Sequence, residues 1–268
     1  MEARVEIRSM AEVTPVPLPG LTGVAADAGV QTRPMITNAK ALYLWLHEMA
    51  PGGTLRFAAP PVGHVLYAWK GSVTVDGAPV GTEQTVVVEH RAAAPVVAGP
   101  EGATLAHFHQ SEATPHLTER AGGHVHTAPA DDLFARIDDQ RRAVHKVWGD
   151  AHCPTCELWL HRSSFALECA QGEPHLHNED EIIFVVDGGI KVGKVHPPGT
   201  AIAVAADAVY TFGVDPQGGA FINFRPTNPL VKFAANGKPV GEWVSERRFM
   251  RNELTVDVID PRAQLPTG

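Results

Sequence analysis

The sequence predicts an all-β protein built from two copies of one domain, and three observations carry that reading. The tetrad Leu44–His47 (LWLH) recurs as Leu158–His161. The octet His64–Gly71 (HVLYAWKG) aligns with Glu181–Gly188 (EIIFVVDG), and each runs on into a short strand pattern, Val73–Val75 and Ile190–Val192. Around these matches, short segments rich in Val, Leu, Thr and aromatic residues follow one another between Gly and Pro, which suits a barrel or sandwich. A spacing above 110 residues is far too long for a solenoid repeat, so it marks a duplicated domain.

In chain order, the first copy offers strands at Lys40–Glu48, Thr54–Ala58, Gly63–Trp69, Gln84–Glu89 and Ala103–His109. The second offers Glu157–Ser163, Phe165–Cys169, Glu181–Val186, Ile190–Val192, Ala201–Ala205, Ala208–Gly213 and Ala220–Phe224. Between them, Asp131–Val144 sets Leu133, Phe134 and Ile137 on one helical face behind an acidic first turn, so a short connecting helix is expected. The expected division is residues 1–128, a connection at 129–150, and residues 151–268. The stretch after Glu246 reads as an edge strand and a strap.

Composition removes several classes of function. With 268 residues, 44% of them hydrophobic, the chain has enough apolar surface for sizeable cores and is not disordered. Its net charge of -8 argues against nucleic acid as partner, because phosphate recognition needs a basic surface. No apolar run reaches the roughly 20 residues of a membrane span, so no membrane partner is expected. The opening MEARVEIRSM alternates charged and apolar residues and lacks the apolar core of a secretory signal. Three Cys point away from a disulfide framework, so the expected location is the cytoplasm. There is neither a Gly-rich phosphate loop after a strand nor a Gly-x-Ser-x-Gly elbow. The count that calls for explanation is 14 His.

The strongest local signal is Pro174–Gly188 (PHLHNEDEIIFVVDG). On a strand, residues i and i+2 project from one face, so His175 and His177 aim two imidazoles at one point. Glu181 opens the next strand and can bring a carboxylate to the same place. Two His and one carboxylate on one side of an ion leave its other positions open, a facial triad suited to Fe(II) and oxygen chemistry. Open positions read as catalytic, since structural metal sites are closed.

His-x-His, three residues, Glu, six residues, Gly resembles the first motif of the cupin superfamily, matched here at His175, His177, Glu181 and Gly188. The resemblance implies antiparallel jelly-roll barrels with the metal inside, two in tandem making a bicupin. It implies one divalent ion per chain held by His175, His177 and Glu181, with Fe(II) favoured and Mn, Ni or Zn as alternatives. The chain departs from the family's second motif, because Tyr210 stands where a fourth ligand, His, is expected. Its phenol could ligate, bond to substrate or point away, and the favoured reading is an acid/base beside a three-ligand centre. In the first copy the Glu position is His64 and the two His positions fall on Ala58 and Pro60, so that barrel is expected to have lost this site and to serve structure and dimerisation.

The remaining donors read more blandly. His64 is expected as a core histidine. His107 and His109, with His116 beyond, align near Asn223 and Arg225 and could join His64 only if they point inward. His124-Val125-His126 sits in a Gly-rich stretch and reads as surface rather than site. Cys153-Pro154-Thr155-Cys156 precedes a strand rather than a helix and reads as two structural thiols.

The function expected from the resemblance is a mononuclear non-haem Fe(II) dioxygenase acting on a small hydroxy-aromatic or diketone-like substrate. Arg225, if it faces the mouth, would pair with a substrate carboxylate, and Phe165, Leu167, Ile183, Val185, Ile202, Val204, Phe212 and Phe224 would wall the barrel. The alternatives are a non-redox isomerase, lyase, cyclase or decarboxylase with Tyr210 moving the proton, or a non-enzymatic binding bicupin. A homodimer is expected from the base rate for symmetric enzymes.

Overall fold

The computed structural model describes residues 5–37, 42–111, 122–128, 134–138, 143–148, 159–165, 173–225 and 230–245. Among them the only helical element is one 3-10 turn, Met10–Glu12, closed by a capping box between Ser9 and Glu12; every other element is a strand. No helix there is long and apolar enough to cross a membrane.

The chain divides into two compact units. One takes in Arg8–Leu133 and Trp148–Leu158, the other Met1–Ile7, Phe134–Val147 and Trp159–Gly268. In the first unit the long strand His64–Val75 runs antiparallel between Thr85–Val88 and Ala93–Gln110, and Leu42–Met49 lies on the far side of Ala93–Gln110. Leu55, Leu66, Val73, Val88, Val96 and Leu105 fill this core. Each such side chain taken fully from water stabilises the fold by about 1.5–3 kcal/mol.

In the second unit, Glu181–Val192 runs between Thr200–Val204 and Gly213–Arg225, with Trp159–Phe165 beyond the latter. Val5–Ser9, from the start of the chain, pairs with Thr200–Val204 and closes that edge. Phe165, Ile183, Val185, Ile202, Val204 and Phe221 pack its core, with Phe212 against them. A separate three-stranded sheet joins His175–His177 to the hairpin of Leu230–Ala235 and Lys238–Ser245.

The duplication is real in space. Gly71 and Gly188, the matched glycines of the two octets, both adopt positive φ (71° and 56°) at a bulge where the ladder to the long strand slips. A Cβ there would lie 2.2 Å from Gly102 O or 2.3 Å from Gly218 O, so only glycine fits. The tetrads behave differently. Trp45 pairs with His107, whereas His161 pairs with Asn223, the residue at the position of His107. The structural counterpart of Trp45 is therefore His161, two residues from the letter match. A slip of two preserves which face each residue takes, so the hydrophobic pattern conceals it.

Three expectations need correction. Asp131–Val144 is not a helix: Phe134–Asp138 and Ala143–Trp148 are antiparallel strands that extend the second unit's sheet past Trp159–Phe165. Helix propensity is a weak preference, and a sheet edge next to the β-favouring run Val144–Trp148 overrides it. Ala208–Gly213 is not a strand either; within it Tyr210 makes an isolated bridge to His175. Phe224 lies on the opposite face of its strand from Phe221, Asn223 and Arg225, so Phe221 takes the wall position. Cys153, Cys156, His116, Leu167 and the stretch after Glu246 lie outside the described residues.

Candidate active site

The candidate residues of the second unit meet at the end of its barrel core. Glu181 shares a face of its strand with Ile183 and Val185, so its carboxylate stands directly above the apolar interior, 1% exposed. His175 and His177 come from the short strand of the three-stranded sheet, their rings 5.2 Å apart. Tyr210 exchanges two backbone hydrogen bonds of 3.0 Å with His175, and their rings lie 4.5 Å apart.

Arg225 completes the group. The register that pairs Ile182 with Phe224 sets Glu181 across from Arg225. The guanidinium Nη2 lies 2.5 Å from Glu181 Oε2 and 2.9 Å from His177 Nε2. Asn223 Nδ2 donates to the same carboxylate oxygen at 2.7 Å. Arg225 is 1% exposed, so this is a fully buried ion pair rather than a cation waiting at a pocket mouth.

The protonation states follow from these neighbours. Burial pushes the Glu181 carboxyl towards neutrality, but the Arg225 guanidinium, with hydrogen bonds from Asn223 and the Tyr210 hydroxyl, outweighs it and holds the group ionised. Burial drives His177 well below the ordinary imidazole range; Arg225 adds to that and Glu181 opposes it. Its Nδ1 faces Leu230 O at 3.1 Å and donates there, so Nε2 carries the lone pair towards Arg225. His175 is fixed in the same way, with Nδ1 donating to Glu173 O at 2.8 Å, which leaves Nε2 as its acceptor.

A neutral imidazole lone pair and an ionised carboxylate are the states that metal ligation requires. The donor chemistry fits a divalent ion. His177 Nε2 and Glu181 Oε2 stand 3.9 Å apart, with a cationic nitrogen between them. That nitrogen belongs to Arg225, so an ion bound by these two atoms has to displace it. His175 does not bring its ligand atom into a tight group with the other two.

The first unit solves the same position with histidines. His64 pairs with His109 where Glu181 faces Arg225, and Leu66 pairs with His107 where Ile183 faces Asn223. His47 Nε2 lies 2.8 Å from His107 Nδ1, and His107 Nε2 lies 2.8 Å from His64 Nδ1. Thr32 Oγ1 ends the chain at His47 Nδ1, 2.9 Å away. Trp45 Nε1 donates to His109 Nε2 at 2.8 Å, so His109 donates from Nδ1 to Gln110 O. His47, His107 and His64 thus bond in a row, and His109 is tied to Trp45 and Gln110, instead of the four converging on a point. Burial lowers all four: His47 to about 3, His109 to about 4, and His64 and His107 well below their ordinary value. His47 is a member that sequence reasoning missed, although its place in the LWLH tetrad beside a His-x-His pair was the available signal.

No protein-family model matches the sequence, and no curated protein matches it. Solved structures do. Oxalate decarboxylase from Lactobacillus farciminis, solved as a formate complex, matches with a TM-score of 0.64 at 12% identity, over 95% of this chain and 92% of that one. The 11S globulin of Wrightia tinctoria, whose structure reveals an auxin binding site, gives 0.61 at 9% identity over 88% and 87%. A candidate dioxygenase from Nostoc punctiforme gives 0.58 at 9% identity over 84% and 87%. The chain has the tandem jelly-roll fold of the bicupins. Enzymes and seed-storage globulins both share that fold, so the fold alone does not assign an activity.

Proposed function

We propose that the chain is a metal-dependent cupin enzyme whose second barrel binds the ion, and that it is a mononuclear Fe(II) dioxygenase for a small hydroxy-aromatic or diketone-like molecule. The observation that carries the proposal is the pair His177 Nε2 and Glu181 Oε2, buried side by side 3.9 Å apart, with His177 Nδ1 tied to Leu230 O so that the Nε2 lone pair faces inward. These two, joined by His175, would hold the ion. A divalent ion there supplies Lewis acidity and, as Fe(II), electron exchange with dioxygen and substrate.

The chain's own residues do the rest. The carbonyls of Leu230 and Glu173 orient the two imidazoles and fix their tautomers. Ile183, Val185 and Val204 keep water from the interior beneath the carboxylate. Arg225 Nη2 occupies the two atoms that would hold an ion, so with an ion bound the guanidinium would leave them and be available to an anionic group of the substrate. The same proposal takes the protein as a cytoplasmic homodimer acting on a small molecule, with neither nucleic acid nor membrane as partner.

A non-redox reading rests on Tyr210, whose hydroxyl acts on Glu181 and whose ring packs on His175, where it could move a proton. Elemental analysis followed by oxygen uptake separates the readings. Fe(II)-loaded protein given catechols, diketones and hydroxy-aromatic acids should consume oxygen with at least one class. Turnover without oxygen uptake favours the non-redox enzyme. Absence of any metal equivalent sensitive to His177 removes the proposal.

A further inference from the structure

We propose that Glu89, His124 and His126 form a second divalent-metal site, in the first unit and independent of the second barrel. Strand Val125–Ala128 is the edge of the first unit's sheet and runs antiparallel to Thr85–Val88, with Val125 against Val88 and His126 against Val87. That register carries on by one residue: Glu89 N donates to His124 O at 3.0 Å. Glu89 and His124 are thus cross-strand neighbours, and His126, two residues on, shares their face.

The side chains converge. Glu89 Oε2 lies 3.1 Å from His124 Nδ1, and Oε1 lies 2.9 Å from His126 Nε2. The facing carboxylate and ring atoms all lie within 4.8 Å of one another. The arrangement is asymmetric. The Glu89 side chain is 4% exposed, whereas those of His124 and His126 are 55% and 32% exposed. A buried carboxylate therefore forms the floor, and two imidazoles form a rim open to water.

The approach to His124 is also fixed. Gly122, at φ 57°, sits on the buried His90 ring, where a Cβ would come within 2.5 Å of Cε1, and Gly123 N donates to His90 O at 2.9 Å. The chain is thereby delivered into the site by contacts unrelated to Glu89. Such pre-set backbone is what a metal site needs if its ligands are not to be ordered at the moment of binding.

Two imidazoles and one carboxylate suit a borderline ion of the Zn2+ type, with water in the remaining position. Binding balances without redox change. Each N–H that now faces Glu89 gives up its proton, to the other ring nitrogen of a neutral imidazole or to solvent from a charged one, and the lone pair goes to the ion. The ion would clip the edge strand to the sheet and tie together Glu89 and His124, 35 positions apart in sequence.

Titration of metal-stripped full-length protein with Zn2+, and with Co2+ for its visible spectrum, tests this. The His177→Ala background removes the other proposed centre, so the two readings fail separately. That variant should retain one equivalent, with a rise in melting temperature on adding Zn2+. Adding His126→Ala, a change at a half-buried ring that spares the buried floor, should abolish both; Glu89→Gln should do the same. An unchanged equivalent after His126→Ala overturns the site, and so does a His177→Ala protein that binds no metal.

Discussion

Arg225 and Glu181 face each other across the long ladder of the second unit at 2.5 Å, and the same two positions of the first unit hold His109 and His64. One barrel thus meets the problem of polar groups above an apolar core with a full ion pair, and the other with neutral imidazoles. Both solutions are buried, but they respond differently to substitution, metal and acid.

Arg225→Met should destabilise the metal-free protein by about 3–5 kcal/mol, because it leaves the Glu181 carboxylate buried without its counter-charge. If a divalent ion takes the place of the guanidinium, adding metal should recover much of that loss and bind more tightly than in the parent. Urea melts with and without metal check this. A variant whose midpoint ignores metal would show that His177 and Glu181 hold no ion even with the guanidinium removed, and would count against the proposed centre.

His177→Ala should cost the second barrel its metal equivalent, while its melting temperature in chelator stays within a few degrees of the parent. The ring lies outside the second unit's hydrophobic cluster, facing Leu230 O and the Arg225 guanidinium and packing beside the rings of His175 and Tyr210. Metal analysis beside a chelator melt is the measurement.

Acid should unfold the first unit early. His47, His64, His107 and His109 have folded-state pKa values far below the ordinary value of 6.5, so below pH 6.5 the unfolded chain binds protons that the folded one refuses. Stability therefore falls as pH drops from about 6.5 towards 4, by up to about 1.4 kcal/mol per pH unit for each histidine. His109→Gln should flatten that slope by one proton, read from urea midpoints between pH 7 and pH 4.5.

Gly188→Ala and Gly71→Ala should each destabilise by about 1–3 kcal/mol, since both demand left-handed backbone and a Cβ that meets a carbonyl. Similar losses in chemical denaturation would show that the two bulges carry equal strain; a neutral result at either would contradict the close approach.

The duplicated octets, the β class and the group around Glu181 were legible in the sequence because a two-residue period and the glycine at a bulge leave a direct trace. The partner of Glu181 was not, since Arg225 is 44 residues away in sequence and pairing across a ladder depends on register. Asp131–Val144 misled because a helical face can be drawn through residues that an open sheet edge recruits as strands. His124 and His126 read as surface because Glu89, which joins them, sits 35 residues earlier. The same i, i+2 rule that singled out His175 and His177 applied there too.

Val5–Ser9 hydrogen-bonds to Thr200–Val204, and Val5 packs on the second unit's core. A recombinant fragment cut at the repeat boundary would therefore be born with a bare strand flank and a notch in its interior. Such a flank recruits other chains, so insolubility of the isolated half would reflect a missing pentapeptide rather than an inability to fold. Supplying VEIRS in trans, or splicing it ahead of residue 159, is the natural remedy.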